Sequence, residues 1–156
     1  MEKRQTSRRK TGGRLIGLDV GQRRIGVAIS DEKHVVALPE CVIERRNVEE
    51  DVRALSDLAR AKGAERFIVG LPLRLDGSHG PEADNVVEFA RKLAERSLMC
   101  VEMSDERLST KEAERHLIRG GVRRKQRRKI LDKMAAQIIL QSYIDAHRGE
   151  TGERSG

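Results

Sequence analysis

Asp19 stands inside the apolar run RLIGLDV, immediately before the glycine-bearing turn GQRR and a second apolar run. Strands disfavour aspartate, and burying an unpaired carboxylate costs several kcal/mol or shifts its pKa, so a carboxylate there needs a compensating partner. Two more acids, Asp105 and Glu106, follow directly on the apolar stretch LMCVEMS, in the tripeptide Asp105-Glu106-Arg107. A further one, Asp132, sits one residue after Leu131, on the flank of the stripe formed by Leu131, Met134, Ala135, Ile138, Ile139 and Ser142. Helical geometry lets a flank residue reach over whatever the stripe packs on. In an α/β sheet, chemistry gathers beyond the carboxyl ends of the parallel strands. Carboxylates converging there from distant parts of the chain would repel one another unless a divalent cation lay among them. Oxygen ligands without a nearby cysteine or histidine favour Mg²⁺ or Mn²⁺. Each acid also has a plainer reading: Asp19 could accept amides of the turn at Gly21, Asp105 and Glu106 could form a solvated loop paired with Arg107, and Asp132 could be a favourable charge in a first helical turn.

The elements that must position these acids can be read from periodicity. Residues 15–20 and 25–30 read as strands around the Gly-Gln-Arg-Arg turn, and 35–43 as a third, predicting an antiparallel meander. Asn47 with Glu50 three residues later makes a capping-box pattern, and Val48, Val52, Leu55 and Ala59 share one helical face up to Gly63. The all-apolar run 67–71 has the character of a parallel strand covered on both faces, stopped by Leu71-Pro72. Val86, Val87, Ala90 and Leu93 mark a second helix, 98–103 a fifth strand, and Ser109 with Glu112 a second capping box into a helix closed by Gly120-Gly121. The basic run RRKQRRK then precedes the final, long helix. Meander followed by strand–helix alternation predicts an α/β fold of the ribonuclease H kind: a mixed five-stranded sheet with helices on both faces.

A chain of 156 residues suits one domain, with residues 13–147 as its body and residues 1–12 and 148–156, which lack periodicity, as flexible tails. Lys and Arg number 32 against 25 acids, a net charge of +7, which favours polyanionic partners, nucleic acid before membrane. No run approaches the roughly 20 apolar residues of a membrane span, and no apolar segment follows the basic start, so a cytoplasmic protein is expected. Cys41 and Cys100 lie in apolar strand-like runs without C-x-x-C spacing, predicting buried, reduced thiols. With Phe67, Phe89 and Tyr143 as the complete aromatic set, recognition on an aromatic base-stacking platform is disfavoured. Contacts to a phosphate backbone are expected instead, from Arg107 and from Arg123, Arg124, Lys125, Arg127, Arg128 and Lys129, a run with no acid in it. The turn DVGQRRIG also resembles the phosphate loop of actin-like and sugar-kinase ATPases, but those proteins enclose a nucleotide between two such domains and this chain has room for one.

Four segments, GLDVGQRRIGVAISD, IVGLPLRLDGS, DERLSTKEA and LDKMAAQIILQSYID, together resemble the YqgF/RuvX family, assigned to pre-16S rRNA nucleases with a Holliday-junction-resolvase-like, ribonuclease H type fold. The resemblance implies that Asp19, Glu106 and Asp132 are the catalytic acids holding one or two Mg²⁺ or Mn²⁺ ions, with Asp105 or Glu106 as the second ligand position. It implies a metal-dependent nuclease acting at the 5′ end of precursor 16S ribosomal RNA, with ribosomal RNA or ribosomal particles as partners; nothing in the sequence forces dimerisation, and a monomer or weak homodimer is expected. A non-catalytic ribosomal RNA or nucleic-acid binding module and a DNA four-way junction resolvase are the alternatives. Gly70-Leu71-Pro72 and Asp76-Gly77 fit either the rim of a site or a structural turn.

Overall fold

The computed structural model describes residues 13–155, apart from the side chains of residues 108–113, 128–129, 132–133 and 149–155; the expected tail 1–12 lies outside the described residues. The order is β1 (Arg14–Val20), β2 (Arg24–Ser30), β3 (Ala37–Glu44), α1 (Val48–Lys62), β4 (Ala64–Leu71), α2 (Pro81–Ser97), β5 (Cys100–Asp105), α3 (Glu106–Arg119) and α4 (Arg124–Ser155). Sheet order is β3-β2-β1-β4-β5. β1, β2 and β3 pair antiparallel, and β4 and β5 extend the sheet in parallel from β1. The strand carrying Asp19 is therefore central, with its carboxyl end beside that of β4.

Alternation along β1 divides the core in two. Ile16 and Leu18 face α1 and α2, where Val52, Leu55, Ala59, Phe89 and Leu93 cover them. Leu15 faces the other way, onto Ala136, Ile139, Leu140 and Ile144 of α4. Gly17 shares that second face, and a Cβ there would lie 2.6 Å from Leu140 Cβ and 3.1 Å from the Ala136 carbonyl oxygen. Glycine thus lets α4 lie close on the sheet, and Gly17→Ala would push the helix away at a cost of about 1–3 kcal/mol.

Capping fixes the helix entries. The Asn47 side chain accepts the Glu50 N–H at 2.9 Å, and Gly63, left-handed at φ 69°, closes α1. α2 begins at Pro81, one turn ahead of the first apolar position Val86, because proline at a first helical position has no amide to leave unpaired. α3 starts at Glu106, not after Ser109: the Asp105 carboxylate accepts the Arg107 N–H and caps the helix earlier. The basic run is also helical, since α4 begins at Arg124, and α4 continues through residues assigned above to a tail. The expectation of buried thiols is corrected. Cys41 and Cys100 are both exposed, because each lies on an outermost strand, and β3 is open to solvent along most of its length. Among the described residues, no helix is long and apolar enough to cross a membrane.

Candidate active site

Asp19 is the penultimate residue of β1 and pairs with Gly26 of β2. A Cβ on Gly26 would lie 3.8 Å from Asp19 Cβ and 3.6 Å from Ala136 Cβ, so Asp19 leaves the sheet on the face that α4 covers. Glu106 approaches on the same face, from beyond β4. A Cβ on Gly70 would meet Glu106 Oε1 at 3.3 Å and Ile139 Cδ1 at 2.5 Å. Gly70 is thus the gap at the end of β4 into which the Glu106 carboxylate and Ile139 fit. The β1–β4 register pairs Leu18 with Val69, which puts Asp19 in the row of Gly70. Two acids 87 positions apart in sequence thereby meet over the carboxyl end of β4, Asp19 from β1 on one flank and Glu106 from the end of β5 on the other.

Their electrostatics follow from that placement. Burial, then the Asp19 charge, then Glu82 and Asp105 push the Glu106 carboxyl up to about 7. A half-buried carboxyl facing another carboxylate resists ionisation. The donor set fits a hard divalent cation, being made of oxygens only, with a repulsion that such an ion would relieve. Among the described residues, no three acids, histidines or cysteines form a closed cluster. Asp132 is one helical turn ahead of Ala136, the residue that α4 lays over Gly26, which places position 132 beyond the carboxyl end of the sheet; its side chain lies outside those described. The Gly21 N–H, close after Asp19 in the chain, donates to the Arg24 carbonyl at 2.9 Å and closes the β1–β2 turn.

The adjacent acids Asp105 and Glu106 diverge. Asp105 accepts the Arg107 N–H at 3.0 Å and pairs with the Arg107 guanidinium, Oδ2 to Nη2 at 2.6 Å, which holds its carboxyl below the usual range. Arg107 in turn donates through Nη1 to the Leu75 carbonyl at 3.0 Å and so fastens the 72–80 loop. In that loop Asp76 Oδ1 accepts the Ser78 N–H and hydroxyl, and Gly77 is left-handed at φ 89°. Asp76-Gly77 is therefore a structural turn, while Pro72 at the loop's start lines the site.

The basic run also divides. Arg123, Arg124 and Lys125 are exposed at the start of α4. Arg127 turns inward, donating to the Val122 carbonyl at 2.9 Å and lying 3.9 Å from Glu114 of α3. The side chains of Arg128 and Lys129 lie outside those described.

A cavity of about 460 Å³ opens beside the two acids, between the β1–β2 turn and α2. Asp19 and Glu106 line it together with Glu82, Arg45, Asn85 and Lys92. Sequence reasoning missed these four. Glu82 reads as an ordinary first-turn acid, Asn85 and Lys92 as the polar face of a helix, and Arg45 as a loop cation, because their convergence depends on how α2 crosses the sheet.

Thermus thermophilus RuvC in complex with a Holliday junction substrate superposes with a TM-score of 0.54 at 16% identity, covering 88% of this chain and 96% of RuvC, which establishes a RuvC-like, ribonuclease H type fold. A second Thermus thermophilus RuvC structure matches with the same TM-score at 14% identity, covering 87% of this chain and 96% of RuvC. The chain belongs to the RuvX family, described as Holliday junction resolvase, whose profile matches residues 13–146. A relative from Symbiobacterium thermophilum, named "Putative pre-16S rRNA nuclease", is 46% identical over 140 residues, covering 90% of this chain and 97% of its own length. One of the same name from Desulforudis audaxviator is 45% identical over 135 residues, covering 86% of this chain and 96% of its own length.

Proposed function

We propose that the protein is a divalent-metal-dependent nuclease that hydrolyses phosphodiester bonds near the 5′ end of precursor 16S ribosomal RNA. The observation that carries this reading is the meeting of Asp19 and Glu106 over the carboxyl end of β4, where burial and the Asp19 charge disfavour ionisation of Glu106. Asp19, Glu106 and Asp132 would hold one or two Mg²⁺ or Mn²⁺ ions. When bound, such an ion supplies an activated water and stabilises the departing oxygen. Glu106 contributes as a carboxylate, so it must lose the proton that burial and Asp19 favour. Asp105 is a positioning residue: as the cap of α3 and the partner of Arg107 it sets where the helix begins and so where Glu106 points. Arg123, Arg124 and Lys125, exposed at a helix start with no acid in its first turn, offer sequence-independent contacts to phosphates. Arg107 and Arg127 serve the fold, whereas Arg128 and Lys129 would extend the phosphate track. The protein works in the cytoplasm on ribosomal RNA or ribosomal particles, as a monomer or weak homodimer.

The family description favours one second reading, cleavage of a DNA four-way junction. A single experiment separates these from a binding module that does not cut. Purified protein with Mn²⁺ or Mg²⁺ is given labelled precursor ribosomal RNA and a synthetic junction, with Asp19→Asn as control. We expect cleavage of the RNA by the native chain alone. Cleavage of the junction only would establish the second reading, and binding without cleavage in either metal would establish the third. Millimolar Mn²⁺ should also raise Tm of the native chain and not of Asp19→Asn, because an ion bound only to the folded state stabilises it.

A further inference from the structure

The cavity beside the acids holds more than a metal centre needs. Its walls include the apolar residues Val48, Pro72, Val86 and Phe89, and the amide-bearing residues Gln22 and Asn85 also line it. Asp19, Glu82 and Glu106 line it against Arg45 and Lys92, while Glu88, also at its wall, is ion-paired with Arg91. A ligand that offered only negative charge would be repelled. A flat, mostly neutral group with both donors and acceptors would not.

Arg45 is built for such a group. Its Nε donates to Asp51 Oδ2 at 3.1 Å and its Nη1 to the Gly21 carbonyl at 2.9 Å. Its guanidinium carbon lies 5.1 Å over the Phe89 ring centroid. Asp51 is 2% exposed and also accepts the Arg46 N–H, so the anchor is itself fixed. The guanidinium lies over a buried ring, while the side chain stays 22% exposed where it lines the cavity. Guanidinium planes and aromatic rings are the two surfaces on which proteins stack unstacked bases. Here the aromatic is 3% exposed and the arginine lies over it. Holding the plane in advance removes most of the ordering cost that a free arginine would incur on binding.

We propose that this cavity is a nucleotide subsite: it takes one unpaired nucleotide of the substrate strand next to the cleaved phosphate, with the base laid on the Arg45 guanidinium and read by Gln22 and Asn85. The placement next to the cut rests on the nuclease reading above; recognition of the base does not. A volume of about 460 Å³ admits one nucleotide and no duplex, so the enzyme selects single-stranded or frayed positions.

The test uses the full chain and two small probes, adenosine 5′-monophosphate and ribose 5-phosphate, followed by the shifts of backbone amide resonances. The mononucleotide should move the amides of Gln22, Arg45 and Asn85, and ribose 5-phosphate should bind at least tenfold more weakly. Arg45→Lys keeps a cation beside Asp51 but removes the plane, and should weaken the mononucleotide by about 5-fold or more, as expected when one base stack is removed. Asn85→Ala, at an exposed position that leaves the fold untouched, should weaken it severalfold. Equal binding of the two probes, or unchanged binding in Arg45→Lys, would overturn base recognition. For the strand, an abasic residue placed on either side of the cut should lower kcat/KM at least fivefold at one of the two positions in the native chain and cause no further loss in Arg45→Lys. Independent, multiplicative losses would overturn the assignment to the substrate strand. Mononucleotide binding without any RNA cleavage would instead refute the nuclease reading and the strand assignment with it, while base recognition stood.

Discussion

Glu102 and Glu106 lie four residues apart, both toward α4, and they sit in opposite electrostatic company. Glu102 of β5 is paired with the Arg66 guanidinium of β4 and accepts the Tyr143 hydroxyl of α4 at 2.8 Å. Burial and that bond push the Tyr143 phenol up to about 12. Burial first, and then the charges of Asp19, Glu82 and Asp105, push Glu106 up to about 7. A half-buried carboxylate with its cation supplied by the chain is a fastening, here of α4 to the parallel edge of the sheet. A half-buried carboxylate set against another carboxylate works against the fold and has its use elsewhere. The contrast separates architecture from chemistry within one short segment.

The sharpest way to break the contrast is activity. Asp19→Asn or Glu106→Gln should reduce cleavage roughly a thousandfold or more, the scale of losing several kcal/mol of metal-assisted stabilisation. Glu102→Gln should stay within about threefold of the native rate, on the expectation that small changes in packing cost under 1 kcal/mol. Rates measured at saturating metal decide this, and a dead Glu102→Gln would erase the distinction.

The next effect is on stability and its pH dependence without metal. A carboxyl whose pKa is raised by folding is held as the neutral acid, so the fold suffers no penalty below the unfolded value near 4.5 and loses stability as pH climbs to about 7. Glu106→Gln should therefore be more stable than the native chain at pH 8, by about 2–3 kcal/mol at most, and equal to it at pH 4. Urea unfolding at the two pH values checks this. Tyr143→Phe should act in the reverse sense, destabilising by about 1–2 kcal/mol through loss of a hydrogen bond to a charged group, with no change in rate. The smallest difference lies within the basic run. Arg127→Ala should cost about 1 kcal/mol by releasing the α3–α4 junction. Arg124→Ala should instead leave Tm unchanged and lower the slope of log affinity against log salt by roughly 0.7 for each phosphate of single-stranded RNA that is no longer held.

Much of this is legible in the chain itself. Alternation and capping predict five strands in the right order, because β1 must bury both of its faces and its apolar pattern says so. Helix entries are misplaced where two signals compete: Ser109-x-x-Glu112 is a capping pattern, yet Asp105 caps first because the strand ends there. The thiols are misread because an apolar run identifies a strand without saying whether it is central or at an edge. Asp19 is conspicuous for being costly where it stands.

The sequence by itself therefore determined the fold class and the central strand that carries Asp19, and it singled out Asp105, Glu106 and Asp132 as candidates to meet that acid, since local periodicity and the cost of a carboxylate in a strand are written in neighbouring residues. Only the tertiary structure decided which member of Asp105-Glu106 faces Asp19, which arginines of the basic run stay exposed, and that Arg45, Gln22 and Asn85 surround one cavity. Those outcomes depend on strand register, on the angle at which a helix leaves its strand, and on gaps such as Gly70 and Gly17 that set how closely α4 and the loops approach the sheet. Distances of a few ångströms between elements far apart in the chain leave no periodic trace in it.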